Sequence, residues 1–476
     1  MEYRILIDEF KKNYEIDTTR SDQVKLKHNT GNTIILLPFV TNFRKNKENK
    51  DYIVNFSAVL GELSRMLADK KIKDKFSKEV LIIKLIEKVN FGNEQNKSSF
   101  IDIIDSLFYD SNGNLQIFHP KVYNYITAEK PRVHKKIAQF IFNVLSSRET
   151  KEILKDKFAS KPQNLLYKLM LESLPELQEE SSKFESYKYK LYMPFISELF
   201  QKDLETMIED TRFFVDDFEK LIKYYYFFYV SQLILKLNDM FDADIKTASE
   251  LYFNLDFEST SRTRTSYIKG WEVLKGNEKM LFPHINCLEI LNHRYDEGKG
   301  PYSYIELKKI ICEMNSQELA ALDDDIKEII ELYKFCIGDV VWEEMNPVED
   351  KHPNPVLNRI YELYKCIYFQ FTLQRKDRWK SYFEWFEEFC KANFLKTRGQ
   401  LGYTLNITEE YLIFITKLCI PKGDKLRLNL LFKEFELRGM WFDRDSKYKI
   451  IEIYEKLNIL EKKSDSGDAQ YVKSIL

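Results

Sequence analysis

A mainly α-helical chain is what this sequence predicts, with small β elements confined to its two ends. Three observations carry that expectation. Gly and Pro are scarce, 14 and 12 in 476 residues, so little punctuates the chain as a glycine-rich α/β sheet would require. Through most of the middle, apolar residues recur at the i, i+3, i+4, i+7 spacing of one helix face. Alternation with turn chemistry, the mark of half-buried strands, is clear only near the N-terminus and in the C-terminal segment.

At the N-terminus, Val24-Lys25-Leu26-Lys27-His28 alternates, and Asn29-Thr30-Gly31-Asn32 supplies residues that tolerate positive φ. Thr33-Ile34-Ile35-Leu36-Leu37 follows, stopped by Pro38. That pattern predicts a small β-hairpin within a first segment, residues 1–60. Arg44 to Lys50 is polar and basic, an exposed loop. Helical spacing begins at Phe56, Val59, Leu60 and Leu63. It recurs near 78–90, 132–146, 163–173, 193–208, 212–240, 318–337, 355–374 and 378–394. The expected body is a multi-helix bundle, with a helical domain over 61–300 and a second helical subdomain over 301–405. No fixed repeat length is present, so a solenoid is not expected. Tyr224 to Val230 is aromatic on all sides, which predicts a helix in the middle of the bundle rather than a base-stacking surface.

The C-terminal segment, residues 406–476, has its own logic. Thr408 can cap a helix whose first turn holds Glu409 and Glu410, and which ends near Pro421. Leu426-Arg427-Leu428 is a short strand candidate. Leu428, Leu431, Phe432 and Phe435 form one helix face, closed by Gly439. Asp443 or Ser446 opens a third helix with a buried face of Ile450, Ile453, Tyr454 and Leu457. Ile459 to Lys463 and Ala469 to Lys473 are two strands around the turn Asp465-Ser466-Gly467-Asp468. Helix, strand, helix, helix, two-stranded ribbon is the order of a winged-helix module, which docks on nucleic acid or on another protein.

If DNA is the partner, Lys449 on the third helix, Arg444 at its start, and Lys462, Lys463 and Lys473 on the wing are the candidate phosphate ligands. Glu452 and Glu455 oppose them. From Thr408 onward there are 13 Lys/Arg against 12 Asp/Glu, about +1, a weak field for binding phosphates. A second basic segment runs from Glu258 to Trp271, where Arg262 and Arg264 could hold a phosphate backbone with their planar forks. The plainer reading is a helix N-terminus with solvated arginines.

Composition narrows the function further. The chain is 44% hydrophobic, with 35 Phe and 29 Tyr, enough for large cores. Charged residues are abundant, but the formal net charge is only −2, so nucleic-acid contact has to be a local patch. Cys287, Cys312, Cys336, Cys366, Cys390 and Cys419 form no CxxC and no zinc spacing, as expected of buried thiols in a reducing compartment. The N-terminus starts no signal peptide, and no apolar run approaches roughly eighteen residues, so a cytoplasmic chain with no membrane partner is expected.

No catalytic motif stands out. Gly92 to Ser98 lacks the second glycine of a phosphate-binding loop and reads as a surface loop. Asp296 with Glu306 and Lys308 has a spacing some Mg²⁺-dependent nucleases tolerate, but in a loop-and-helix context rather than the strand such sites use. The six His, at 28, 119, 134, 284, 293 and 352, make no i, i+4 metal pair. No catalytic residue, cofactor or metal is therefore expected.

Several segments together carry a family resemblance. They are Leu37-Pro38-Phe39 with Val54 to Leu63, the Tyr/Phe helix ending in Ser231-Gln232-Leu233, and Arg262 to Trp271 with His284 and Leu288 to His293. The most specific are Arg438-Gly439-Met440-Trp441-Phe442-Asp443 and Ser464 to Lys473. Over nearly its full length the chain resembles the DptG (DndG) family, components of bacterial phosphorothioation-dependent DNA restriction systems. Such systems mark self DNA by replacing a non-bridging phosphate oxygen with sulfur, and damage DNA lacking the mark. The resemblance implies a non-enzymatic subunit acting with an F component and an ATPase-like H component, and it transfers no catalytic residue. The expected role is to bridge DNA and those subunits. The alternatives are a pure protein scaffold whose winged helix docks a partner, and a cryptic Mg²⁺-dependent nuclease using Asp296 or Glu306.

Overall fold

The computed structural model describes residues 3–16, 26–73, 77–111, 113–180, 188–294, 300–462 and 470–476. Its elements begin with α1 (Ile7–Asn13), α2 (Asp51–Val54) and α3 (Phe56–Ala68), followed by strand β1 (Lys70–Lys71). Then come α4 (Lys78–Glu87), α5 (Glu94–Phe108), α6 (Arg132–Leu145), α7 (Arg148–Ala159), α8 (Leu165–Ser173) and β2 (Gln178–Glu179), which pairs antiparallel with β1. α9 (Pro194–Ile208) and α10 (Thr211–Asn238) lead to β3 (Asn254–Leu255). The body continues with α11 (Thr265–Ile268), α12 (Trp271–Gly276), α13 (Glu278–Leu291), α14 (Tyr304–Glu313), α15 (Ser316–Cys336), α16 (Pro355–Leu373) and α17 (Lys376–Asn393). β4 (Leu395–Thr397) and β5 (Tyr403–Ile407) join β3 in a sheet of order β3-β5-β4, with β3 parallel to β5. Last come α18 (Glu409–Cys419), β6 (Lys425–Arg427), α19 (Leu428–Leu437), α20 (Arg444–Lys456), β7 (Leu460–Lys462) and β8 (Gln470–Lys473). The last three strands form an antiparallel sheet of order β6-β8-β7.

The fold is mainly helical, as the spacing predicts, and α10 shows why. From Tyr224 to Val230 no residue exceeds 1% exposure. A helix apolar on every side must be surrounded, and each aromatic buried contributes about 1.5–3 kcal/mol. Three of its four tyrosine hydroxyls find partners: Tyr224 donates to the Arg438 carbonyl (2.6 Å) and Tyr225 to the Asp203 carboxylate (2.6 Å), while Tyr229 accepts from the Tyr192 amide (2.9 Å). One apolar core gathers side chains from Tyr3 to Val472. A smaller core, built on Leu81, Leu85, Ile104, Phe108 and Met170, holds α4, α5 and α8 together. Among the described residues no helix is long and apolar enough to cross a membrane.

The N-terminal hairpin is not formed among the described residues. Gly31 does adopt positive φ (91°), as the turn chemistry asks. Residues 26–37 nevertheless pair with no strand. Their amides are taken by a distant carboxylate instead: Gly31, Asn32, Thr33 and Ile34 all donate to Glu289, buried on α13. Val24 and Lys25 lie outside the described residues. The expected loop Gly92 to Ser98 is also corrected. Asn93 caps α5 by accepting from the Asn96 amide (2.8 Å), so Glu94 onward is helix. Five cysteines are buried free thiols, whereas Cys312 is exposed.

Candidate nucleic-acid interface

Strand β6 alternates exposed Lys425, half-buried Leu426 and exposed Arg427. The register sets Leu426 opposite buried Val472, Lys425 opposite Lys473, and Arg427 opposite Tyr471. Because side chains alternate across a sheet, Lys425, Arg427, Tyr471 and Lys473 share the face turned away from Val472. The Arg427 guanidinium carbon lies 5.9 Å and the Lys425 ammonium 5.6 Å from the Tyr471 ring centre. Arg427 Nε also donates to the Tyr471 hydroxyl (3.2 Å). Glu461 on β7 accepts from Lys425 (3.1 Å). Two cations and one carboxylate thus gather about an aromatic ring, with Lys473 on the same face, an arrangement able to grip phosphate and stack a base or sugar.

The residues expected on the third helix are differently placed. Lys449 pairs with Glu452 (2.8 Å), and Lys462 on β7 pairs with Glu455 (2.5 Å). Exposed pairs of this kind are worth about 0–1 kcal/mol and open readily, but their carboxylates stay nearby. Arg444 lies over Tyr448, its guanidinium carbon 5.5 Å from the ring centre. Lys473 joins the sheet face just described, while Lys463 and the turn Asp465 to Asp468 lie outside the described residues. Ile450, Ile453 and Tyr454 are buried as the spacing predicts, but Leu457 is exposed, because the helix has ended at Lys456.

Arg262 is exposed, but Arg264 turns inward. Its side chain is 13% exposed, and all three guanidinium nitrogens have partners. Nε and Nη2 reach the Asp443 carboxylate at 3.0 and 2.5 Å, Nη1 reaches Glu258 (3.0 Å) and the Ser259 carbonyl (2.7 Å), and Nη2 also meets Ser446 (3.0 Å). Asp443 is the cap of α20 and accepts from the Ser446 amide (3.0 Å). Burial pushes its carboxyl up, but the bonds it accepts from Arg264, Ser446 and Ser266 outweigh that and hold it at about 2. Glu258 moves upward, because burial outweighs its bonds to Ser446 and Arg264. Arg264 therefore anchors the start of α20 to the body, and its fork is not open to a phosphate.

Of the residues suggested for a nuclease, Glu306 and Lys308 are engaged with other partners. Glu306 closes a capping box with Ser303 and binds Lys190 (2.7 Å), while Lys308 pairs with Asp242 (2.6 Å). Asp296 lies outside the described residues. Among the described residues no group of three or more His, Cys, Asp or Glu could hold a metal ion.

No protein-family model matches the chain, and no characterised protein matches it in sequence. Sequence reasoning missed the outward trio Lys425, Arg427 and Tyr471. The period-two pattern of Lys425-Leu426-Arg427 against Gln470-Tyr471-Val472-Lys473 is the signal that could have found it.

Proposed function

We propose that this chain is a cytoplasmic, non-enzymatic subunit of a DNA restriction assembly of the phosphorothioation-dependent kind. Its last seventy or so residues act as a winged-helix module, and the helical body docks the ATPase-like H component and the F component. DNA contact runs through the outer face of the β6-β8-β7 sheet, with Lys425, Arg427 and Lys473 on phosphates and Tyr471 against a sugar or base. The order of elements from α18 to β8 and the family resemblance support the module. The clustering of Lys425 and Arg427 about Tyr471, with Lys473 on the same face, is the single observation that carries the contact. Insertion of the start of α20 into a groove is disfavoured, since Arg264 and Glu258 already enclose Asp443 and Ser446 there.

Titration of duplex DNA by fluorescence anisotropy across a salt series tests this. Reversing Lys425, Arg427 and Lys473 together to Glu is expected to abolish measurable affinity. Replacing the same three by Ala should flatten the dependence of log K on log salt by up to about three counterions. Unchanged affinity would reject the sheet face. A second reading, docking of a partner protein, is favoured by exposed Leu430 and Leu437, one above the other at i, i+7 on α19. Co-purification of partner subunits, lost on Leu430→Asp with DNA affinity intact, would select it.

A further inference from the structure

A cavity of about 700 Å³ opens where the small core of α4, α5 and α8 meets the main body. Its walls carry five lysines, Lys70, Lys121, Lys155, Lys161 and Lys168, against one carboxylate, Glu172. In a chain with 73 basic and 75 acidic residues, that is a strong local excess. Lys70 is answered by Glu179, Lys155 by Asp69 (3.5 Å) and Lys168 by Glu172 (4.0 Å). Lys121 and Lys161 have no carboxylate partner among the described residues.

Lys121 is the informative one. It is half-buried in the turn Pro120–Tyr125, and burial, then the charge of Lys70, pushes its ammonium below the usual lysine range. A half-buried cation facing a second cation is costly unless an anion completes the site. Beside it, Asn124 is 2% exposed. Its Nδ2 donates to the Lys121 carbonyl (3.2 Å), but its Oδ1 has no hydrogen-bond partner. Phe158, Leu171 and Leu177 supply apolar wall. The cavity thus offers cations for an acid and apolar surface for a flat body, at a size typical of small-molecule sites, roughly 300–1,000 Å³.

We propose that this cavity binds a nucleotide, with Lys121 and Lys161 on the phosphate and the apolar wall of Phe158, Leu171 and Leu177 against the base. A free nucleotide and the 5′-phosphorylated end of a strand share this chemistry. The inference is independent of the sheet-face contact proposed above.

The test uses the full chain and a fluorescent AMP analogue, displaced by AMP, ATP or inorganic phosphate. Saturable binding is expected, with AMP and ATP displacing the probe at lower concentration than phosphate does. Lys161→Glu, an exposed change that spares the fold, should weaken binding at least about tenfold, as should Lys121→Gln, whereas Lys121→Arg should retain most of it. Reversal of Lys425, Arg427 and Lys473 should leave it unchanged, which separates this site from the DNA contact. Displacement by a 5′-phosphorylated but not a 5′-hydroxyl oligonucleotide would support the site and identify a strand end. Displacement by mononucleotides alone would support it and identify a free nucleotide. Absence of saturable binding, or binding indifferent to Lys161→Glu and Lys121→Gln, would overturn the proposal.

Discussion

Arg438 and Asp203 meet as a two-pronged ion pair with side-chain exposures of 1% and 0%. Nε lies 2.9 Å from Oδ2 and Nη2 2.5 Å from Oδ1. Asp203 belongs to α9 in the body, and Arg438 ends α19 in the C-terminal segment, so the pair rivets the two together. Tyr225 donates to the same carboxylate, and Glu434 takes the remaining edge of the guanidinium at 2.7 Å. A desolvated pair this complete is costly to break by one partner alone, although it adds little over a well-packed apolar pair.

Asp203→Asn is therefore expected to cost about 3–5 kcal/mol, since it leaves the buried Arg438 charge with Glu434 alone. Urea unfolding of the variant reads this as a lowered midpoint. Asp203→Leu combined with Arg438→Met should recover much of the loss. A single-variant cost below about 1 kcal/mol would show that the pair opens to water.

The next residue closes the same joint. Gly439 has φ +77°, and a Cβ there would stand 2.2 Å from Phe228 Cε2 on α10. Its amide donates to the Glu436 carbonyl and that of Met440 to the Phe435 carbonyl, the paired bonds of a glycine-ended helix. Gly439→Ala meets both the left-handed backbone penalty and overpacking, about 2–5 kcal/mol together. Limited proteolysis should release the segment that follows β5 before the body is cut. An unaltered cleavage pattern and midpoint would contradict this.

Much of this joint was legible as a motif and illegible as a contact. Arg438 to Asp443 stood out as a specific run, and four of its members have a clear task. Arg438 pairs with Asp203, Gly439 passes Phe228, the Trp441 amide donates to the Leu251 carbonyl (3.0 Å), and Asp443 meets Arg264. The helices were legible because their apolar spacing is local. The hairpin reading failed because its turn residues are local signals, while the group that claims their amides, Glu289, is more than 250 residues away. The lysines of the cavity are spread from β1 through the turn at Lys121 and α7 to α8, so no window of sequence displays them together. α5 was missed because its first turn, Glu94 to Lys97, is wholly polar.

Acid should weaken the fold partly through His284. The ring stacks on Tyr364 with centroids 4.1 Å apart and bonds Tyr304 (3.1 Å) and Asn238 (3.2 Å). Burial, helped by the charge of Lys365, pushes its pKa down to about 3. The neutral ring's contribution is therefore fully present above the unfolded value of about 6.5. As pH falls from there the unfolded chain takes up a proton that the folded chain does not, at up to about 1.4 kcal/mol per pH unit. Urea unfolding of His284→Gln should lose about 2 kcal/mol less than the parent between pH 7 and pH 5. Parallel losses in the two proteins would assign acid sensitivity elsewhere.

Glu289 offers the sharpest test of how the N-terminal segment is held. Oε1 accepts from the amides of Asn32 (2.9 Å) and Thr33 (3.0 Å), and Oε2 from Gly31 (3.0 Å) and Ile34 (3.4 Å). Four donors converge on one carboxylate, so Glu289→Gln turns an NH₂ group toward two of them and leaves those amides without that acceptor. Each charged bond lost is worth about 1.5–3 kcal/mol, and the segment it pins carries Ile34, Leu36 and Leu37 into the core. A stability loss of about 3 kcal/mol or more is expected. Amide hydrogen exchange of Gly31 to Ile34 should rise while α10 stays protected. Glu289→Asp should show the same pattern, since the shorter side chain cannot span all four donors. Undiminished protection at those amides would mean that the segment is held by its apolar side chains alone.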